Sequence, residues 1–155
     1  MKRIAAIACI LEFTAISIAY AAEAGKQVYV PGLGEIMALQ QIRHAKLWFA
    51  GSNKNWELAD YELDELREGF SDAANLHPVH DQILVAMLVD KITTKPLAEV
   101  GKAIEEKNSA LFNNAFDGLT MACNACHRAA KHPYIVIKRP DVLPFGNQEF
   151  SIKRK

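Results

Sequence analysis

Residues 55–73, NWELADYELDELREGFSDA, form the most regular pattern in the chain. Apolar residues recur there every three or four positions over about five helical turns: Trp56, Ala59, Leu63, Leu66, Phe70 and Ala73. Acidic residues fill the opposite face. This spacing is typical of an amphipathic helix that buries one side against a core. Asn55 precedes the pattern and is predicted to cap its first turn.

Helical spacing also occurs on both sides of this segment. It extends over residues 34–50, 79–92, 97–107 and 109–131. A break is predicted between the helices at 79–92 and 97–107. Thr94 is predicted to cap the second of these helices, and Pro96 is tolerated in its first turn. The connections are short and no strand pattern is visible. The sequence therefore predicts an all-α fold, an antiparallel four-helix bundle over residues 34–131 with an extended C-terminal tail.

The composition excludes several classes of protein. The chain has 155 residues, of which 50% are hydrophobic and 23% charged, and these proportions are typical of one globular domain. Basic and acidic residues number 18 each, so the formal net charge is zero. A nucleic-acid-binding protein would need a basic excess to neutralise phosphates. Three cysteines are too few for a disulfide scaffold.

Residues 1–21 have the features of a signal peptide. Lys2 and Arg3 give a positive start, an apolar run follows, and Ala19-Tyr20-Ala21 matches the small-x-small pattern of a cleavage site. A membrane anchor is the alternative, but the apolar run is short and carries Glu12. We expect cleavage after Ala21 and export to the periplasm. Cys9 then leaves with the leader, and two cysteines stay in the mature chain.

The rest of the chain divides into three parts. Residues 22–33 are predicted to be an irregular lead-in, residues 34–131 the bundle, and residues 132–155 an extended tail with three prolines. The charges are segregated, since residues 57–72 hold seven acids and residues 128–155 hold seven bases. Two solvated faces would explain this distribution, and so would a dipolar surface that orients a partner.

The sequence Cys123-Asn124-Ala125-Cys126-His127 carries the chemistry. A C-x-x-C-H run is the attachment signature of c-type haem, in which the two thiols bond the porphyrin and the histidine ligates the iron. A redox disulfide is an alternative, but it belongs to a βαβ context, and a zinc site would need two more ligands. We predict one covalently bound haem c, held by Cys123 and Cys126, with His127 as an axial ligand.

The chain over residues 33–131 resembles the cytochrome c-prime group and its low-spin four-helix relatives, the class II cytochromes c. The resemblance rests on Phe112, Phe116 and the C-x-x-C-H motif near the end of the last helix. It implies that Lys131 lies near the haem, where members of the group often carry a basic residue. The tail is longer than the group usually has.

The resemblance also puts the distal side of the haem against the first helix. There the group proper has an apolar residue, which leaves the iron five-coordinate, and the low-spin relatives have a methionine. Met37 and His44 lie seven residues apart on one helical stripe with Gln41 and Trp48. Either Met37 or His44 is a candidate distal ligand, and an open site stays an alternative. Gln41 and Trp48 are candidate haem-pocket residues.

Three functions are compatible with these features. A periplasmic electron carrier needs a six-coordinate iron, whereas a protein that binds or senses NO or CO needs an open distal site. A peroxidase would need an acid–base group above an open iron. Because a residue able to ligate iron is present on the first helix, we predict an electron carrier rather than an enzyme. Its partners are expected to be periplasmic redox proteins and not nucleic acid, and a homodimer through the first two helices stays open.

Overall fold

The structure, a computed structural model, describes residues 28–143 and 145–152. It contains four helices: α1 (Leu33–Ser52), α2 (Trp56–Leu76), α3 (Val85–Glu105) and α4 (Ser109–Ala129). Consecutive helices pack on each other, and α1 also contacts α4. The described residues include no strand. The predicted all-α antiparallel four-helix bundle is confirmed, whereas the predicted signal peptide over residues 1–21 lies outside the described residues.

Both hairpins of the bundle use the same turn, in which a lysine precedes an asparagine: Lys54-Asn55 joins α1 to α2, and Lys107-Asn108 joins α3 to α4. The lysines have φ values of 58° and 50°, in the left-handed region. Each asparagine N–H closes the preceding helix at 2.9 or 3.0 Å. Its side-chain oxygen then accepts first-turn N–H groups of the next helix at 3.0–3.3 Å. Each turn therefore satisfies two helix ends at once.

The core lies between the four helices. The predicted apolar face of α2 is buried there, with Ala59, Leu63 and Ala73 inaccessible to solvent. Phe112 and Phe116 of α4 are also fully buried and belong to the same cluster as Ala59 and Leu63. The described helices include none that is both long and apolar enough to cross a bilayer.

The prediction of two helices at 79–92 and 97–107 is wrong, because α3 runs without a break over Val85–Glu105 with Pro96 inside it. The hydroxyls of Thr93 and Thr94 donate to carbonyls one turn back, both at 2.7 Å, instead of capping a new helix. Pro96 lacks an N–H, so the helix loses one hydrogen bond. Burial of Leu97 and Val100 continues the apolar stripe past this point and offsets that loss.

The start of the predicted third helix is instead a tight turn. His80 and Ile83 exchange backbone hydrogen bonds at 3.0 and 2.8 Å. Asp81 and Gln82 between them have φ values of 47° and 67°. Two consecutive left-handed residues form a type I′ turn, which a helix does not accommodate. The helix therefore begins at Val85.

The tail after α4 has no helix or strand in its described part, and it folds back along the bundle. Arg139 forms an ion pair with Asp117 at 2.7 Å, and its guanidinium carbon lies 4.2 Å from the ring centroid of Trp48. Phe150 is only 3% exposed and packs against Phe49, with ring centroids 5.9 Å apart. The tail is therefore part of the packed domain.

Candidate functional site

The C-x-x-C-H motif occupies the C-terminal turns of α4. Cys123 and Cys126, the described cysteines, carry free thiols and are half-buried. Burial, together with the neighbouring Cys126, raises the pKa of Cys123 to about 12, and burial also raises the pKa of Cys126. Reactive redox cysteines have lowered pKa values and commonly sit at helix N-termini. Burial therefore favours the neutral form of both thiols at pH 7.

Both cysteines and His127 line a cavity of about 420 Å³. All four helices, the turn at residues 80–83 and the tail contribute to its wall, and its side chains are mainly apolar, including Leu66, Phe70 and Leu119. Pockets for small molecules and cofactors have volumes in this range and a similar apolar character. The cavity therefore has the size and the apolar character of a pocket for a small molecule or cofactor.

His127 is oriented by the tail. Its Nδ1 lies 2.9 Å from the carbonyl oxygen of Ile135. A carbonyl only accepts hydrogen bonds, so Nδ1 carries the proton and donates it. In the neutral imidazole the other nitrogen, Nε2, then keeps a free lone pair. This arrangement is the usual one for a histidine that ligates a metal.

The chain reverses direction to bring Ile135 to His127. Lys131 has a φ of 63°, and the N–H of His132 donates to the carbonyl of His127 at 2.8 Å. These are the features of a helix that ends with a left-handed residue and a closing six-to-one hydrogen bond. Lys131 is exposed and is not among the described residues that line the cavity. Its observed role is in this turn.

Asn124, between the two cysteines, fastens the tail to α4. Its Nδ2 donates to the carbonyl of Ile137 at 2.8 Å, and its Oδ1 accepts the N–H of Ile137 at 2.7 Å. Nothing in the sequence marks this residue, since the two middle positions of a C-x-x-C-H motif are variable by definition. Its role depends on the tail, whose sequence has no regular period.

His44 lies at the buried side of the cavity and is 4% exposed. Its Nε2 is 2.9 Å from Oγ1 of Thr120, and that hydroxyl donates to the carbonyl of Phe116 at 2.9 Å. The one hydroxyl proton of Thr120 is thereby used, so His44 is the donor of the pair. Burial lowers the pKa of His44 to about 4, and the ring is neutral at pH 7.

Met37 is half-buried and lines the same cavity. Trp48 contacts Phe112 and Phe116, and His44 contacts Phe116 and Thr120. Because α1 and α4 run antiparallel, residues nearer the start of α1 lie beside residues nearer the end of α4. Met37 is therefore level with the C-x-x-C-H segment, whereas His44 lies further down the bundle.

The two predicted pocket residues on α1 have different positions. Gln41 is exposed and contributes to the cavity wall. Trp48 instead packs between the rings of α4 and the guanidinium of Arg139, and it is not among the described residues of the cavity wall. Trp48 therefore supports the core beside the cavity rather than its lining.

Within residues 28–143 and 145–152, no three His, Cys, Asp or Glu side chains form a group that could hold a metal ion. No protein-family model, curated protein or solved structure matches the chain.

Proposed function

We propose that the chain is a periplasmic monohaem c-type cytochrome of the four-helix type that transfers electrons between redox proteins. Cys123 and Cys126 would bond the haem, and His127 would ligate its iron. The main support is the hydrogen bond from His127 Nδ1 to Ile135, because it leaves Nε2 free beside both thiols in one apolar cavity. When bound, haem c supplies an iron that exchanges one electron.

Met37 is favoured over His44 as the second axial ligand. Met37 lies level with the cysteines and its thioether makes no competing hydrogen bond among the described residues. His44 is held by Thr120 and would have to break that bond to present Nε2. Thioether ligation raises the reduction potential relative to a second imidazole. We therefore expect a low-spin carrier with His/Met ligation.

Binding of NO or CO is the second candidate function. His44 favours it, because the N–H of this buried neutral imidazole, which Thr120 accepts here, would be able to turn to a molecule bound on the distal side if Met37 does not ligate. A protein of this class would have a high-spin iron with an exchangeable sixth position. The spin state therefore separates the two functions.

The proposal is tested by producing the full chain in a host that attaches c-type haem and measuring its mass and absorption spectrum. We expect one covalently bound haem and low-spin bands in both oxidation states, unchanged under CO. Cys123→Ala with Cys126→Ala should abolish covalent attachment, whereas Cys9→Ala, in the predicted leader, should not. Absence of covalent haem in the wild-type protein contradicts the proposal.

The axial ligand is tested in the same preparation. Met37→Ala should convert the spectrum to high-spin and allow CO to bind, whereas His44→Gln should leave the low-spin bands in place. The reverse result would assign the ligand to His44. A wild-type protein that is already high-spin and binds CO supports the second candidate function.

A further inference from the structure

We propose that Asn124 is a positioning residue, which fastens the C-terminal tail so that the tail fixes His127 and tunes the electron-donating strength of its imidazole. The inference rests on the proposed function. It goes further in giving a role to the residue between the two cysteines and to the segment Ile135–Ile137, neither of which bonds or ligates the haem.

The geometry forms a closed loop of contacts. Asn124 holds both backbone groups of Ile137, at 2.8 and 2.7 Å, and Ile135, two residues earlier, accepts from His127 at 2.9 Å. Asn124 and His127 lie three residues apart, on neighbouring turns of α4. Asn124 thus fixes the segment of tail backbone that accepts the hydrogen bond from His127.

The paired hydrogen bonds of Asn124 restrict the tail more than a single contact would. A primary amide that both donates to and accepts from one residue fixes the distance and orientation of that residue's backbone. The surrounding tail residues Tyr134, Ile135 and Val136 are exposed, so their packing alone holds this strip weakly. Ile135 also donates its N–H to the carbonyl of His132 at 3.0 Å, and Arg139 is held by Asp117 and Trp48. The Asn124–Ile137 pair is the contact that ties this strip directly to the C-x-x-C-H segment.

A hydrogen bond from Nδ1 of a ligating histidine to a carbonyl raises the basicity of the ligand. A more basic imidazole stabilises the ferric state and lowers the reduction potential. Loss of the fastening should release Ile135, weaken the Nδ1 hydrogen bond and raise the potential. The bonds from the cysteines to the haem do not depend on Asn124, so attachment should continue.

The test compares Asn124→Ala with Asn114→Ala in the haem-loaded protein. Asn114 is an exposed residue of α4 whose side chain makes no hydrogen bond among the described residues, and it serves as the matched control. We expect Asn124→Ala to retain covalent haem and to shift the midpoint potential upwards, while Asn114→Ala leaves it unchanged. In ¹⁵N-labelled protein, the Ile137 amide should exchange with solvent about tenfold faster in Asn124→Ala, the effect of losing one ordinary hydrogen bond.

Ile137→Pro provides a second variant if Asn124→Ala fails to fold, because it removes the Ile137 N–H and keeps Asn124. It should shift the potential in the same direction. The inference is overturned if Ile137 loses its protection while the midpoint potential stays at the wild-type value. It is also overturned if the potential shifts equally in Asn114→Ala. A wild-type protein without covalent haem would instead contradict the proposed function, while the amide exchange of Ile137 would still report on the fastening itself.

Discussion

At the scale of single residues, Glu62 is an acidic side chain that the sequence pattern assigns to solvent and the structure buries. It belongs to the acidic run of α2, yet it is 1% exposed and faces α1. Nζ of Lys46 lies 3.6 Å from its Oε1, and this oxygen has no hydrogen-bond partner among the described residues. Burial raises the pKa of Glu62, against the opposing effect of Lys46. The carboxylate therefore costs the folded state free energy at neutral pH.

The pH dependence of this cost follows from the direction of the shift. As the pH rises above 4.5, the ordinary pKa of the group, the unfolded chain releases this proton before the folded chain does. The contribution of Glu62 to the free energy of unfolding is fully present below pH 4.5 and is lost as the pH rises through the folded-state pKa.

Glu62→Gln should therefore increase the free energy of unfolding at pH 7, and this gain should vanish below pH 4.5. Urea unfolding at several pH values measures the difference. Glu68→Gln is the matched control, because Glu68 is an exposed acid of α2 with no ion pair among the described residues. Its effect should stay within about 0.5 kcal/mol. Equal gains for both variants at pH 7 would show that net charge, not burial, is responsible.

The burial of Glu62 could be predicted from the sequence. Residue 62 lies three positions after Ala59 and four before Leu66, so the helical period puts it on the buried side with them. The prediction assigned it to the solvated face because of its charge alone. The basic residues Arg43 and Lys46 on α1 provide the missing signal, since they face Glu65 and Glu62 across the helix pair.

At the scale of the elements, the two hairpin turns show a conflict between sequence and backbone. Each places a lysine in the left-handed region, where glycine has no steric cost and other residues lose about 1–2 kcal/mol. The asparagine that follows compensates by ending one helix and capping the next. Because Asn55 caps α2, the start of that helix was predictable from the sequence. The threonines and the proline of α3 lie inside the helix, so they did not predict where it begins.

Lys107→Gly should raise the free energy of unfolding by about 1 kcal/mol, because glycine adopts the observed φ of 50° without a Cβ clash. Lys91→Gly is the control, since Lys91 is an exposed residue inside α3. There glycine should lower the stability by about 1 kcal/mol. Thermal and urea unfolding of both variants measure these effects. A loss of stability in Lys107→Gly would contradict the assigned turn geometry.

At the scale of the whole described domain, the tail is a structural component of the bundle. Its sequence has prolines and no period, so it was predicted to be extended, and nothing in that pattern indicates that Phe150 enters the core. The contact is formed by residues about one hundred positions apart, Phe49 and Phe150. Local periodicity carries no information about such a pairing, whereas it did suffice for the core face of α2.

Phe150→Ala should lower the free energy of unfolding by about 3 kcal/mol, because it removes a buried aromatic side chain from the core. Val142→Ala is the control, as Val142 is an exposed apolar residue of the same tail, and its effect should stay within about 0.5 kcal/mol. Urea unfolding measures both. If the two variants are equally stable, the tail does not dock through Phe150 in solution.

Under the proposed function, docking of the tail would also set an order of events for haem attachment. In the folded chain both thiols are half-buried and neutral, and the tail completes the cavity wall with Ile135 and Ile137. Thiols react as thiolates and need access to their reaction partner. Under the proposed function, bonding to the haem would therefore have to precede closure of the tail. A chain whose tail docked first would then exclude the haem, so the rate of tail docking would be a determinant of the yield of haem-loaded protein.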